Sequence, residues 1–223
     1  MRCIVTLGMT ALGLMLWQPS IASAQMKAEE VPKEAHEEAQ RSLAALREIV
    51  KPETYKRLGF QSVEESSHAT LEKPMRVLMV RLDRLREYRP GTKIGEMLED
   101  THEVRYPVSV DGQVRTSVVM RETDGKWQVA RFGRPALTQR LTEIARKHGG
   151  MDRAESEKLF EVEIPALSLY FVGRGDESHL RLTSTADDSR FNLRQGEELD
   201  AQQLFTKIAP YARDLKTGPR LSD

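Results

Sequence analysis

Beyond Cys3 the chain contains no cysteine. That absence excludes a disulfide framework, a thiolate nucleophile and a Cys-ligated zinc from everything downstream, so the fold must hold together by burial alone. Charge of one sign is also missing: Lys+Arg and Asp+Glu are 34 each. No global field gathers nucleic acid or an anionic membrane, and no interleaving of basic and aromatic residues speaks for nucleic-acid binding. The apolar run from Ile4 to Trp17 is 14 residues, short of the roughly 18 that a spanning helix needs. The sequence has no Gly-x-Ser-x-Gly elbow, no Ser-x-x-Lys, no Walker or Gly-x-Gly-x-x-Gly pattern and no His-Glu-x-x-His, so common catalytic and phosphate-binding frameworks are unrepresented. His36, His68, His102, His148 and His179 lie far apart. No cofactor and no metal site is implied.

What is present begins with MRCIVTLGMTALGLMLWQPSIASAQ. Arg2 supplies a short positive start, the apolar run follows, and Ala22-Ser23-Ala24 offers the small-x-small pattern of a signal peptidase site. Residues 1–24 read as a signal peptide cut between Ala24 and Gln25, giving a periplasmic or secreted protein without a stable membrane span. About 199 residues would remain, with a formal charge of −1. That is enough for one large domain or two small ones.

Residues 26–50 place Ala35, Ala39, Leu43, Leu46, Ile49 and Val50 on one helical face, the pattern of a helix that covers a core. Ser62 and Glu65 have capping-box spacing. Residues 75–88 are ambiguous between one helix and a strand followed by a helix; the second is favoured because a sheet follows and needs partners. Val104, Tyr106, Val108 and Val110 alternate with polar neighbours, and Val114, Thr116, Val118 and Met120 return after Asp111-Gly112. Asp124-Gly125 turns the chain again into Trp127 and Val129. Both pairs suit tight hairpin turns, so 104–132 reads as a three-stranded meander. Pro107 suggests an edge or a strand start. A helix then begins at Pro135 and stops at Gly149-Gly150.

The plan repeats loosely. Residues 160–184 give two strands around a Gly-rich turn, "RFNL" offers a third, and Asp200 with Gln203 caps a closing helix that Pro210 should kink. Its expected buried stripe is Leu204, Ile208, Tyr211 and Leu215. The fold class is therefore α+β: antiparallel meander sheets packed by amphipathic helices, in two sheet-plus-helix units. The boundaries are a helical N-terminus, meander and helix over 25–150 and a smaller unit over 151–223.

Leu58-Gly59-Phe60, Ser62, Glu64-Glu65, Ala69, Leu71, Pro74, Tyr106-Pro107-Val108, Asp111-Gly112-Gln113-Val114, Gly125-Lys126-Trp127 and Phe132-Gly133 resemble a recurring group of uncharacterised secreted bacterial proteins. The resemblance covers residues 55–135 and implies location. Ile164-Pro165, Phe171-Val172 and Asp200-Ala201-Gln202 look similar to the soluble intermembrane-space subunit of the chloroplast import translocon and its cyanobacterial periplasmic relatives. That likeness implies repeated sheet-helix units and a link to envelope biogenesis. No site residue is carried over from either.

Three clusters carry candidate chemistry. Glu96, Glu99, Asp100, His102 and Glu103 could hold a hard cation, although a solvated connection explains them better. Asp187-Asp188 could pair with Arg190 or hold a cation, although a polar turn rich in Ser, Thr and Asp explains them better in the same way. Arg174-Gly175-Asp176 reads as a hairpin loop. The one strong local charge imbalance is Lys73, Arg76, Arg81, Arg84, Arg86, Arg89 and Lys93 against Asp83 and Glu87. Such a patch could meet an anionic lipid or an acidic envelope protein through local attraction; ion pairs with the Glu-rich residues 29–48 would explain it as well.

The favoured expectation is a non-enzymatic interaction protein of unknown specificity. Arg76, Arg81, Arg84 and Arg86 form one candidate surface, and the sheet face around Tyr106, Trp127 and Phe132 forms another, although a tryptophan beside a meander is more commonly a core residue. A carrier or enzyme with a pocket between sheet and helices is the alternative, and an envelope-assembly subunit with an exposed edge near Pro107 or Pro165 is a third.

Overall fold

The two Asp-Gly turns form as their residue types demand. Asp111 and Gly112 have φ of 51° and 74°, the left-handed pair that a tight hairpin needs. They join β3 (Glu99–Val110) to β4 (Gln113–Thr123), and Asp124-Gly125 joins β4 to β5 (Lys126–Phe132). The computed structural model describes residues 31–149, 159–176 and 178–215; the expected cleavage site at Ala24 and Gln25 and most of the expected junction beyond Gly149 lie outside them.

Before the meander come α1 (Lys33–Ile49), the two-residue β1 (Thr70–Leu71), β2 (Met75–Met79) and α2 (Leu82–Glu87). Residues 75–88 are thus a strand and then a helix. After the meander come α3 (Pro135–Gly149), β6 (Phe160–Ile164), β7 (Leu169–Arg174), β8 (Arg181–Ser184), β9 (Glu198–Asp200) and α4 (Ala201–Asp214). Asp200 caps α4 by accepting from the N–H groups of Gln202 and Gln203, which satisfies two of the donors a helix start leaves open. "RFNL" is a short 3₁₀ turn closed by a bridge between Asp188 and Leu193 instead of a strand.

The protein is α+β, but its strands do not form two sheets. One sheet runs β5-β4-β3-β2-β6-β7-β8-β9, with β1 beside β3. The seam is β2 against β6, parallel, with Val77 opposite Glu161; every other pairing is antiparallel. The two expected units therefore share a single hydrogen-bonded framework, and no repeat is evident in it.

On one face α1 lays Ala39, Leu43 and Leu46 over Val104, Tyr106, Val108, Val118 and Met120. Beside it, α2 and α4 bury Leu85, Leu204, Phe205 and Ile208 against Val162, Ile164, Phe171 and Leu182. Within α4 the buried stripe is Leu204, Phe205, Ile208, Ala209 and Ala212, while Tyr211 is exposed. On the other face α3 packs Leu141 and Ile144 on Met75 and Val172.

Pro107 corrects an expectation. It lies inside β3, with β4 on one side and β1 and β2 on the other. Its carbonyl accepts from the Glu72 N–H at 2.8 Å, so its donor-less nitrogen faces the same flank. There residues 72–74 separate β1 from β2, and no ladder bond is lost.

Candidate functional site

Alternation along a strand sends successive side chains to opposite faces. In β3 this puts Val104 and Tyr106 under α1 and turns Glu103 and Arg105 to the α3 face; in β6 it puts Val162 and Ile164 under α4 and turns Glu161 and Glu163 to the α3 face. Arg105 stands opposite Met75 and Glu161 opposite Val77, so β2 lies between them. Two strand spacings, about 9–10 Å, suit the reach of an arginine paired with a glutamate.

The Arg105 guanidinium spans that gap. Its Nε donates to Glu161 Oε2 at 2.6 Å and its Nη2 to Glu161 Oε1 at 3.1 Å. Nη2 also donates to Glu163 Oε1 at 3.3 Å, and Nη1 to Ser117 Oγ at 3.0 Å. Ser117 in turn donates to the Gly133 carbonyl at 2.9 Å. Arg105 and Glu161 are both fully buried, and the fork geometry satisfies charges that would otherwise be costly so deep.

Three further arginines extend the array toward solvent. Glu103 accepts from Arg121 Nε at 2.9 Å and from Arg131 Nη1 at 2.7 Å. Glu163 draws Arg131 to 3.8 Å and Arg134 to 3.6 Å. The carboxylates are sunk, Glu103 being 4% and Glu163 13% exposed, whereas Arg121, Arg131 and Arg134 keep 52%, 34% and 46% of their side chains accessible. Arg134 has φ 55°, an uncommon backbone state for a side chain of this size, and its guanidinium lies 5.0 Å from the Tyr170 ring. Its carbonyl accepts from both N–H and Oγ1 of Thr138 at 2.9 Å, which fixes the first turn of α3.

Burial pushes the Glu161 carboxyl up to about 7, with Arg105 opposing the rise and Glu163 adding to it. Burial works against the charge on Arg105, but Glu161, Glu163 and Glu103 outweigh it, and the guanidinium is held more firmly charged than usual. A carboxyl titrating near neutrality suits acid–base chemistry in principle. Glu161, however, exposes none of its surface, so no substrate proton comes within reach of it. At the rim, Arg121, Arg131 and Arg134 turn partly exposed guanidiniums to solvent.

The candidates read from the sequence do not converge. Arg76 pairs with Asp100; Arg81 pairs with Asp83 at 2.9 Å and Glu99 at 3.5 Å; Arg86 donates to the Ala212 carbonyl at 3.0 Å and to that of Leu215, tying α2 to α4. Arg84 is exposed on α2. Among the described residues, Arg76, Arg81 and Arg86 thus meet nearby acids and carbonyls. Tyr106 is not a surface residue: it is fully buried beneath α1, 5.8 Å from the His36 ring. Trp127 and Phe132 are half-buried at the margin of the same cluster.

The acidic cluster also disperses, Asp100 to Arg76, Glu99 to Arg81 and Glu103 to the arginines of the other face. Among the described residues no group of three could hold a metal ion. Asp188 pairs with Arg190 at 2.6 Å and Asp187 accepts from the Gln195 N–H. Asp176 closes the Arg174-Gly175-Asp176 turn by accepting from Ser178 and His179. The interfaces that α1, α2 and α4 share with the sheet are filled by apolar side chains. An open groove of ≈ 380 Å³ lies outside them, between Val114 and the Gln139, Glu143, Arg146 and Lys147 side of α3. No described helix is long and apolar enough to cross a membrane.

The sequence hides this array because Arg105, Glu161 and Glu163 look like solvent-facing positions of half-buried strands. A signal was available: Glu103 and Arg105 alternate in β3 as Glu161 and Glu163 do in β6, with opposite charges to offer each other. No family model matches the chain, and no curated protein or solved structure matches it either.

Proposed function

We propose that the protein is an exported, non-catalytic binding protein whose arginine-bearing sheet face takes an acidic partner, such as an acidic segment of an envelope protein. One observation carries this reading: Arg121, Arg131 and Arg134 are half-exposed yet held in place from beneath by Glu103 and Glu163. Guanidiniums fixed in this way lose little freedom when an anion arrives, and their planar forks match carboxylates in pairs. The array sets four guanidiniums against three carboxylates, and protonation of Glu161 would widen the positive surplus. The filled helix–sheet interfaces favour a surface interaction over a small-molecule carrier.

The test is titration of the protein with polyglutamate and with anionic lipid vesicles, at low and physiological salt, for the native sequence and for Arg121→Gln with Arg134→Gln. These two arginines are the most exposed of the array, so their loss spares the buried pair. Polyglutamate binding that weakens at least tenfold in the double variant, and that falls with salt, supports the reading. Equal binding by both proteins, or a preference for vesicles that ignores the two substitutions, sinks it.

A further inference from the structure

The sheet ends differently on its two sides. β9 is three residues long and runs straight into α4. β5 is seven residues long and pairs with β4 alone among the described strands. An unpaired edge of that length presents a row of backbone donors and acceptors to any extended chain. Its side chains form two distinct rows. Lys126, Gln128 and Arg131 share the face of the arginine array, with Arg121 directly opposite Gln128 on β4. Trp127, Val129 and Phe132 share the α1 face and are half-buried there, their outer flanks left at the margin of the core. β5 itself carries two cations and no carboxylate; Glu122, opposite Trp127, lies on the α1 face.

We propose that β5 is an acceptor edge to which an extended partner segment of alternating acidic and apolar residues adds as a further strand. Main-chain bonds to the edge would hold the segment, and the period-two alternation would sort its side chains. Its acidic residues fall beside Lys126, Arg121 and Arg131; its apolar residues cover Trp127 and Val129. The ladder also sets the reach. Val119 faces Arg131 and Met120 faces Val129, which leaves Ala130 as a bulge, and a bulge bends an edge. Continuous pairing therefore runs over Lys126–Val129, with Arg131 just past the bend. A second copy of this chain is the poorer occupant, because two β5 edges side by side would bring their Lys126 and Arg131 cations together. This inference rests on the reading of the arginine face as the partner-binding face.

The probes are a short peptide of alternating glutamate and valine, its block isomer of the same composition, and two versions of the alternating peptide N-methylated on one or the other set of alternate residues. Binding to the full protein is measured by titration, and amide exchange is followed in β5. Strand addition is supported if the alternating peptide binds at least tenfold more tightly than the block isomer, if only one methylation pattern abolishes binding, and if exchange slows over Lys126–Val129. Equal affinity of the two isomers, still lost with Arg121→Gln and Arg134→Gln, overturns strand addition while leaving the anion-binding face intact. If no peptide binds, both readings fail. A dimer that protects β5 without peptide overturns the proposal in favour of self-pairing.

Discussion

Arg105 Nε and Glu161 Oε2 meet at 2.6 Å across an intervening strand, with neither residue exposed to solvent. The pair locks β3 to β6 over β2 and so staples the two sequence halves from the α3 side. Breaking such a pair leaves an uncompensated charge inside the protein. We expect Arg105→Met to lower unfolding free energy by about 3–5 kcal/mol at pH 8. Arg105→Met combined with Glu161→Leu should cost clearly less than the single change. Denaturant unfolding of the native protein, Arg105→Met, Glu161→Leu and the double variant decides the point: a double variant as unstable as the sum of the two singles would show that the pair is not coupled.

The same carboxyl makes stability depend on pH in an unusual direction. Glu161 sits near its ordinary value of 4.5 in an unfolded chain and near 7 in the folded protein. Between those values the folded state holds the extra proton, so its contribution to stability is fully present below about 4.5 and is lost as pH rises through 7. Glu161→Gln should flatten that part of the profile. Thermal unfolding of both proteins in steps from pH 5 to 8 is the measurement, and parallel profiles would remove Glu161 as the cause.

Two glycines with similar backbones should respond differently to alanine. Gly59 has φ +88°, and a Cβ there would overlap the Arg115 carbonyl oxygen and come within 2.7 Å of Pro135. Gly112 has φ +74° with nothing within 4 Å. Gly112→Ala therefore meets only the left-handed backbone penalty, about 1 kcal/mol. Gly59→Ala adds a clash where the chain passes under the start of α3, and should cost about 2–4 kcal/mol. Chemical denaturation that finds the two variants equally stable would refute the assigned packing around Gly59.

Local features of the fold were legible because they are written in neighbouring residues. Asp111-Gly112 demands its turn, Asp200 demands its helix, and the Ala35, Ala39, Leu43, Leu46 stripe needs an apolar surface to cover. The seam between β2 and β6 was not, since some eighty residues separate Val77 from Glu161 and parallel pairing leaves no turn to announce it. Arg105 misleads for a related reason. Alternation says that it faces away from Tyr106, and only the placement of α3 on that side makes the face an interior. Trp127 and Phe132 read as surface candidates and lie at the rim of the core, which is where the β5 edge makes them useful again.

From the seam we expect an order of assembly, which pulsed amide exchange during refolding would check. Leu78 and Val80 belong to the core that α4 closes, and β2 has only β3 beside it until Phe160–Ile164 is available. A chain that has emerged no further than α3 therefore holds a central strand with one naked flank. Contacts of such long sequence separation form slowly, so the meander of β3, β4 and β5 should gain order first and wait for the C-terminal third. Half the molecule is thus a template, and its last strands are what render it watertight.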